Sequence, residues 1–283
     1  PNPYPLDDTI RMHEAQVLGT HNSYHIQPKP ALFAGILALA PPLAEAWQYT
    51  HLPLSEQFAT QGIRQIEIDV FADPEGGRYA NRAAMAFLTG DGASNIPELD
   101  EPGLKVLHVQ DVDFESTCFT FIDCLETIRS WSADNPHHYP IMVLIEAKDE
   151  PIEAPFETVV PIRFDRDQLE VIDQEILQVF PREQLLLPDD VRGSYQTLEA
   201  AVADKGWPTL ADSRGKVWFA LDNGSPMKDI YREGHPSLRG RVLFISAEPG
   251  DEAAAFVKLN DPIGAFDKIQ EYVRRNLMIR TRA

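Results

Sequence analysis

Seven apolar stretches along the chain have the length and composition of β-strands. They lie at residues 15–18, 63–70, 104–109, 141–145, 217–221, 242–246 and 277–280. The second alternates apolar and polar residues, whereas the fourth is continuously apolar, which is typical of a parallel strand covered on both faces. Segments with helical spacing lie between them, at 31–49 in part and at 54–60, 119–131, 165–180, 198–204 and 266–275.

Strands that alternate with helices predict parallel βα units. Polar side chains follow the first four predicted strands. Active sites lie at the C-terminal ends of the strands in a (β/α)8 barrel, known as a TIM barrel. An open doubly wound sheet is the alternative, but it gathers its ligands at one switch point. The pattern therefore favours an α/β fold, a TIM barrel, formed by a single domain over residues 1–283.

The predicted barrel is one strand short of eight. A closed parallel barrel pairs its last strand with its first, so seven strands would leave the strand before His21 with a free edge. We expect the eighth strand either to follow Ala283 or to come from the segment before Ala15. The barrel formed by residues 1–283 is therefore predicted to be incomplete at its C-terminal end.

Polar side chains at the predicted strand ends form one candidate site. They are His21, Asn22, Glu67, Asp69, His108, Glu146 and Lys148. Glu67 and Asp69 are two residues apart on one strand and therefore share a face. Three carboxylates and one amide oxygen suit calcium or magnesium, whereas zinc would favour more nitrogen and sulfur ligands. A solvated strand face is the alternative for the two carboxylates on the same strand.

Two histidines beside a metal suit acid–base chemistry on a phosphodiester. One accepts the proton of the attacking hydroxyl, and the other donates a proton to the leaving oxygen. Lys148 shares a face with Glu146 and could hold a phosphate or simply balance one of these carboxylates.

Composition restricts the partners. The formal net charge is −19, with no basic stripe, which argues against nucleic acid and against standing attachment to an anionic membrane, but not against transient contact with a lipid surface. No window approaches the ~20 apolar residues of a transmembrane helix. The first residues, 1–5, do not form a signal peptide and could be a mature or trimmed N-terminus.

Cys118 and Cys124 are the two cysteines of the chain. They could form a disulfide in an oxidising compartment, or remain two buried thiols. Because positions six apart lie on different faces of a helix, a disulfide requires Cys118 to precede the helix.

The segments 19–24, 67–69, 108–113, 116–118, 123–125 and 256–262, together with Glu146, resemble the calcium-dependent phosphatidylinositol-specific phospholipases C, most closely the bacterial branch. The resemblance covers most of the chain and implies a distorted TIM barrel. It also implies His21 and His108 as the acid–base pair and Asn22, Glu67, Asp69 and Glu146 as calcium ligands, with magnesium less suited.

In that family the 2-hydroxyl of the substrate's inositol attacks phosphorus and releases diacylglycerol. The resemblance therefore implies a secreted or periplasmic calcium-dependent enzyme that cleaves phosphatidylinositol or a related inositol phosphodiester. Arg280, with Arg282 on the same face, could bind phosphate or lie at the outward end of a strand.

Two other functions are considered. Glycerophosphodiester phosphodiesterases place similar groups on the same barrel, and Glu146-Ala147-Lys148 fits them, although they usually have His-Arg-Gly where this chain has His21-Asn22-Ser23. A catalytically inactive calcium- or phosphate-binding module is the other alternative, but it would be expected to lack one or both histidines.

Overall fold

The computed structural model describes residues 3–282, and its strands are short and parallel. They are β1 (Gln65–Val70), β2 (Ile141–Ala147), β3 (Val217–Leu221), β4 (Leu243–Ile245), β5 (Phe256–Lys258) and β6 (Met278–Arg280). The first four pair in the order β1-β2-β3-β4, and β5 pairs with β6. A parallel bridge between Ser246 and Phe256 joins the two sheets, so the strands form one distorted barrel wall in chain order.

The described chain contains eleven α-helices, of which three precede β1 and eight lie between later strands. They are α1 (Pro30–Leu39), α2 (Pro41–Ala46), α3 (Leu54–Thr60), α4 (Ala83–Thr89), α5 (Phe121–Asp134), α6 (Arg166–Val179), α7 (Pro188–Arg192), α8 (Leu198–Lys205), α9 (Leu210–Ser213), α10 (Met227–Arg232) and α11 (Phe266–Arg274). The two longest begin at capping residues, since the side chains of Thr120 and Asp165 accept hydrogen bonds from the first turns of α5 and α6. The buried stripes of both helices join the main core, which also contains the whole of β3.

The prediction of a barrel strand at 104–109 is wrong. β1 pairs directly with β2, from Gln65 with Met142 to Val70 with Ala147, so no strand fits between them. The segment instead makes isolated antiparallel bridges, among them Lys105 with Phe71. It therefore forms an excursion beyond the C-terminal ends of the strands, and this excursion carries His108.

The predicted first strand, 15–18, is also not a strand. Its neighbourhood contributes only a parallel bridge between Gly19 and Gln65. Val17 and Leu18 are exposed to solvent, so the segment lies along β1 without becoming a buried strand. Conversely, the apolar pattern does not predict β5, where only Phe256 and Val257 follow three alanines before Lys258.

The described wall ends at the Gly19 segment on one side and at β6 on the other. Residues 3–282 show no strand ladder between these two ends, although Arg280 of β6 reaches Glu67 of β1 with its side chain. The segment before Ala15 does not supply the closure, since Arg11 instead bridges to Thr209. An eighth, closing strand therefore remains a prediction.

The structure joins Cys118 and Cys124 in a disulfide, with Cα atoms 5.4 Å apart. Cys118 precedes α5 and Cys124 lies in its first turn, which meets the geometric condition given above. Among residues 3–282, no helix is long and apolar enough to cross a membrane.

Candidate active site

Three carboxylates converge at the C-terminal ends of β1 and β2. Glu67 and Asp69 point into the barrel and are almost fully buried, and Glu146 lies opposite Asp69 in the strand register. One oxygen from each of the three carboxylates lies within 4.8 Å of the other two. The common face predicted for Glu67 and Asp69 is therefore an inner face of the barrel and not a solvated one.

The close approach of these carboxylates has an electrostatic cost. Burial, together with Asp222 and Glu146, raises the pKa of Glu67 to about 7, although Arg280 opposes the rise. Burial also raises the pKa of Asp69 well above its usual value, and Lys148 opposes that shift. The cluster therefore favours any added positive charge, whether a proton, an ammonium group or a metal cation.

Asn22 supplies an oxygen that fits such a cation. The residue is buried in the left-handed region, at φ 47°, and its Nδ2 donates to the Tyr49 hydroxyl at 3.1 Å. Its Oδ1 is buried with no hydrogen-bond partner among the described residues. Buried oxygens without donors are costly, and hard oxygen donors are what calcium prefers, so this donor set fits calcium.

His21 contacts the same cluster, with Nε2 3.1 Å from Glu67 Oε1, while about half of its side chain remains exposed. Burial of the ring, with the positive charges of Arg280 and His108, lowers its pKa to about 4. The imidazole is therefore neutral at pH 7 and able to accept a proton.

His108 is fixed by a carboxylate that the sequence did not suggest. Its Nδ1 lies 2.7 Å from Asp113 Oδ2, and Asp113 is fully buried. The same carboxylate contacts His25 Nε2 at 2.9 Å, and His25 Nδ1 lies 3.1 Å from the Tyr49 carbonyl. Asp113 therefore determines the orientation of His108, while the fully buried His25 supports Asp113 as a structural group.

The two predicted phosphate-binding residues point to the carboxylates. Lys148 Nζ lies 3.4 Å from Asp69 and 3.5 Å from Glu146. Although burial opposes it, these two carboxylates raise the pKa of Lys148. Arg280 Nη2 lies 2.7 Å from Glu67, so Arg280 faces the interior and not the outer end of a strand.

The site also contains polar side chains that the sequence analysis does not identify. Asp222 follows β3 directly and pairs with Lys258 of β5, and Asn260 accepts a hydrogen bond from Arg280. The signal for Asp222 was available, because it is the first polar residue after a continuously apolar strand. Lys258 is the last residue of β5, the strand that the periodicity does not identify, and Asn260 follows two residues later.

A cavity of about 370 Å³ opens beside the carboxylates. His108, Glu146 and Lys148 line it, together with apolar side chains that include Phe71 and Met227. His21 therefore meets the carboxylate cluster at Glu67, whereas His108 lines the same cavity as Glu146.

Comparison with known proteins assigns the family. Residues 10–283 match the family described as phosphoinositide phospholipase C, Ca²⁺-dependent. No curated protein matches the chain. The chain belongs to the calcium-dependent phosphoinositide phospholipase C family and is therefore a phosphoric diester hydrolase.

Solved structures agree with the fold. A calcium-dependent phosphoinositol-specific phospholipase C from a Gram-negative bacterium, Pseudomonas sp, superposes with a TM-score of 0.62 at 16% identity, over 98% of this chain and 84% of that one. A calcium-dependent phosphatidylinositol-specific phospholipase C from Streptomyces antibioticus gives 0.58 at 18% identity, over 96% and 82%. These likenesses identify the distorted TIM barrel.

The family requires calcium, and the group formed by Glu67, Asp69 and Glu146 is the candidate acidic site for it. The predicted family, fold, enzyme class and calcium dependence are thereby confirmed. The roles of the individual residues remain proposals.

Proposed function

We propose that this protein cleaves phosphatidylinositol or a related inositol phosphodiester by attack of the inositol 2-hydroxyl on phosphorus. The observation that carries the proposal is that both histidines lie beside one carboxylate cluster: His21 contacts Glu67, and His108 lines the same cavity as Glu146. The myoinositol complex solved for the Pseudomonas enzyme supports an inositol headgroup.

In the proposed mechanism His21 is the general base. Its lowered pKa keeps the imidazole neutral at pH 7, so its unprotonated ring nitrogen accepts the hydroxyl proton. His108 is the general acid and donates to the leaving oxygen of diacylglycerol. Asp113 holds Nδ1 of His108, which leaves Nε2 for the substrate, and its carboxylate stabilises the charged ring.

Asn22, Glu67, Asp69 and Glu146 would hold calcium, which would supply charge stabilisation to the phosphoryl oxygens and lower the pKa of the attacking hydroxyl. Lys148 and Arg280 are the proposed phosphate or inositol contacts. Each lies within reach of the cluster, where it now balances a carboxylate.

The same proposal places the enzyme outside the cytoplasm, in a secreted or periplasmic location, with transient contact at a lipid surface. The Cys118–Cys124 disulfide supports an oxidising compartment.

The direct test is release of diacylglycerol from phosphatidylinositol in mixed micelles with calcium, with magnesium or with chelator. His21→Ala and His108→Ala should each lower turnover by roughly 10²–10⁴-fold and leave calcium affinity intact. The exposed His137 provides the control, since His137→Ala should leave turnover unchanged. Near-normal turnover in either active-site variant would remove that histidine from the mechanism.

A parallel assay with glycerophosphoinositol separates this activity from glycerophosphodiester phosphodiesterase activity. Cleavage of that compound with no cleavage of intact phosphatidylinositol would favour the alternative. Calcium binding with no turnover on either compound would indicate an inactive relative.

A further inference from the structure

β2 and β3 form a regular parallel ladder that stops just before the active site. The N–H of Ile141 donates to the carbonyl of Lys216 at one end, and the N–H of Asp222 donates to the carbonyl of Ile145 near the other. Continuation of this ladder would pair the N–H of Ala147 with the carbonyl of Asp222. Ala147 is only 3% exposed, so its own N–H and carbonyl need partners within the protein.

Lys258 takes the carbonyl of Asp222 instead. Its Nζ donates to this carbonyl at 2.8 Å and to the carboxylate of the same residue at 2.5 Å. The ladder ends here, and residues 223–227 line the cavity of about 370 Å³ beside the carboxylates. One wall of the cavity therefore begins where the backbone pairing of β2 with β3 ends.

The side chain of Asn223 takes the place of the missing backbone. Its Oδ1 accepts a hydrogen bond from the N–H of Ala147 at 2.8 Å, and its Nδ2 donates to the carbonyl of Ala147 at 2.9 Å. A side-chain amide offers a carbonyl oxygen and N–H donors, as a peptide group does. Asparagine can therefore satisfy both backbone groups, whereas aspartate could only accept and alanine could do neither.

Ala147 lies between two residues of the site. Glu146 is a proposed calcium ligand, and Lys148 is a proposed phosphate or inositol contact whose Nζ lies 3.5 Å from Glu146. On the β1 side, the N–H of Lys148 donates to the carbonyl of Val70 at 2.8 Å. The end of β2 is thus held by backbone on the β1 side and by the Asn223 side chain on the β3 side.

We propose that Asn223 is a positioning residue for the calcium site, which acts through Ala147 to fix the direction of the Glu146 carboxylate. The proposal rests on the proposed function, in which Glu146 binds calcium. Without the amide, the end of β2 would lose its bonds on the β3 side, and the partly exposed side chain of Glu146 would be free to turn toward solvent. A ligand that must be ordered on binding contributes less to affinity than one already in place.

The test is a double-mutant cycle on the dissociation constant for calcium, measured by titration calorimetry with the full chain. Asn223→Ala should raise this constant by roughly 10–100-fold, the usual cost of removing a group that orients a metal ligand. In the Glu146→Gln background the same substitution should have little further effect, because the ligand through which Asn223 acts is already altered.

Asn135→Ala is the matched control. The Asn135 amide also donates to a backbone carbonyl, that of Trp131 at 2.8 Å, but it lies at the C-terminal end of α5. This end of α5 leads into the N-terminal end of β2, away from the carboxylates, so the control substitution should leave calcium affinity unchanged.

Hydrogen exchange of the wild type gives a second measurement that does not depend on how a variant folds. The N–H of Ala147 should exchange as slowly as the N–H groups inside the β2–β3 ladder, since it is bonded and buried. In Asn223→Ala this exchange should accelerate, whereas the N–H of Ile141, at the other end of β2, should keep its rate.

Two results would overturn the proposal and leave the proposed function intact. One is a change in calcium affinity from Asn223→Ala, or the lack of any change, that is equal with and without Glu146→Gln. The other is exchange of the Ala147 N–H in the wild type at the rate of an exposed loop. If Glu146→Gln alone leaves calcium affinity unchanged, the proposed ligand set is wrong, and this inference fails with it.

Discussion

Glu67→Gln should stabilise the protein in the absence of calcium and should nearly abolish the stabilisation that calcium gives. The rise in the pKa of Glu67 from 4.5 to about 7 corresponds to about 3.4 kcal/mol against the ionised form, at 1.36 kcal/mol per pH unit. This figure already includes the opposing attraction of Arg280. Glutamine keeps the size of the side chain and an oxygen for Arg280, so the chelated variant should be more stable by about 2–3 kcal/mol at pH 8.

The pH dependence identifies the ionisation as the cause. The pKa of Glu67 is higher in the folded than in the unfolded state, so the folded state binds more protons between about pH 4.5 and 7. The free energy of unfolding of the wild type therefore falls as the pH rises through this range. Glu67→Gln lacks this contribution, so the difference should be small at pH 4.5 and complete above pH 7.

Calcium should reduce or reverse the difference in stability between Glu67→Gln and wild type. A ligand present at about 100 times its dissociation constant stabilises the folded state by about 2.7 kcal/mol, and the variant has lost one proposed ligand. Thermal and urea unfolding at pH 4.5 and pH 8, with chelator and with calcium, measure the free energy of unfolding of wild type and variant under each condition. Glu146→Gln is the matched control. Because this carboxylate is partly exposed, its replacement should weaken calcium binding but raise the stability in chelator by less than Glu67→Gln does.

The reasoning fails if Glu67→Gln is less stable than wild type in chelator at pH 8. That outcome would show that the 2.7 Å ion pair with Arg280 outweighs the burial of the charge. A stability difference that is equal at pH 4.5 and pH 8 would also refute it, since ionisation would then not be the cause.

Three other predictions follow from the same geometry. Tyr49→Phe should weaken calcium binding several-fold, by titration calorimetry, with little loss of stability, because the hydroxyl orients Asn22. Asp113→Asn should lower kcat by up to about 10⁴-fold with a smaller change in KM and an altered pH–rate profile, because it positions His108. Cys124→Ser should lower the free energy of unfolding by at most about 3 kcal/mol in urea titrations, and non-reducing mass spectrometry should find no free thiol in the wild type.

The sequence could predict the groups whose placement depends on local geometry. Glu67 and Asp69 share a face because side chains alternate along any strand, and β1 is a strand. Glu146 follows an apolar run that no other element type fits as well, and parallel register then brings it opposite Asp69. The shared face of Glu67 and Asp69 required no knowledge of the neighbouring strands, whereas the position of Glu146 opposite Asp69 depends on the direct pairing of β1 with β2.

The remaining features depend on contacts between distant parts of the chain. The segment 104–109 has a strand-like composition, but whether it enters the barrel depends on the direct pairing of β1 with β2. Asp113 acts on His25 across 88 residues, and Arg280 acts on Glu67 across 213. Periodicity describes only the residues within one element, so such pairs could not be identified from it.

Charge balance connects these distant residues to the chemistry. Apart from the His108–Asp113 pair, the described site contains four carboxylates and three cationic side chains, namely Glu67, Asp69, Glu146, Asp222, Lys148, Lys258 and Arg280. If every group is ionised, the site carries one net negative charge, and the raised pKa of Glu67 shows how a bound proton can neutralise it. A divalent cation in place of that proton changes the net charge to one positive, which an anionic phosphodiester then cancels. Calcium binding should therefore release a proton near pH 7, and the fully loaded site should be close to neutral, which is the least costly state for charges buried in a barrel.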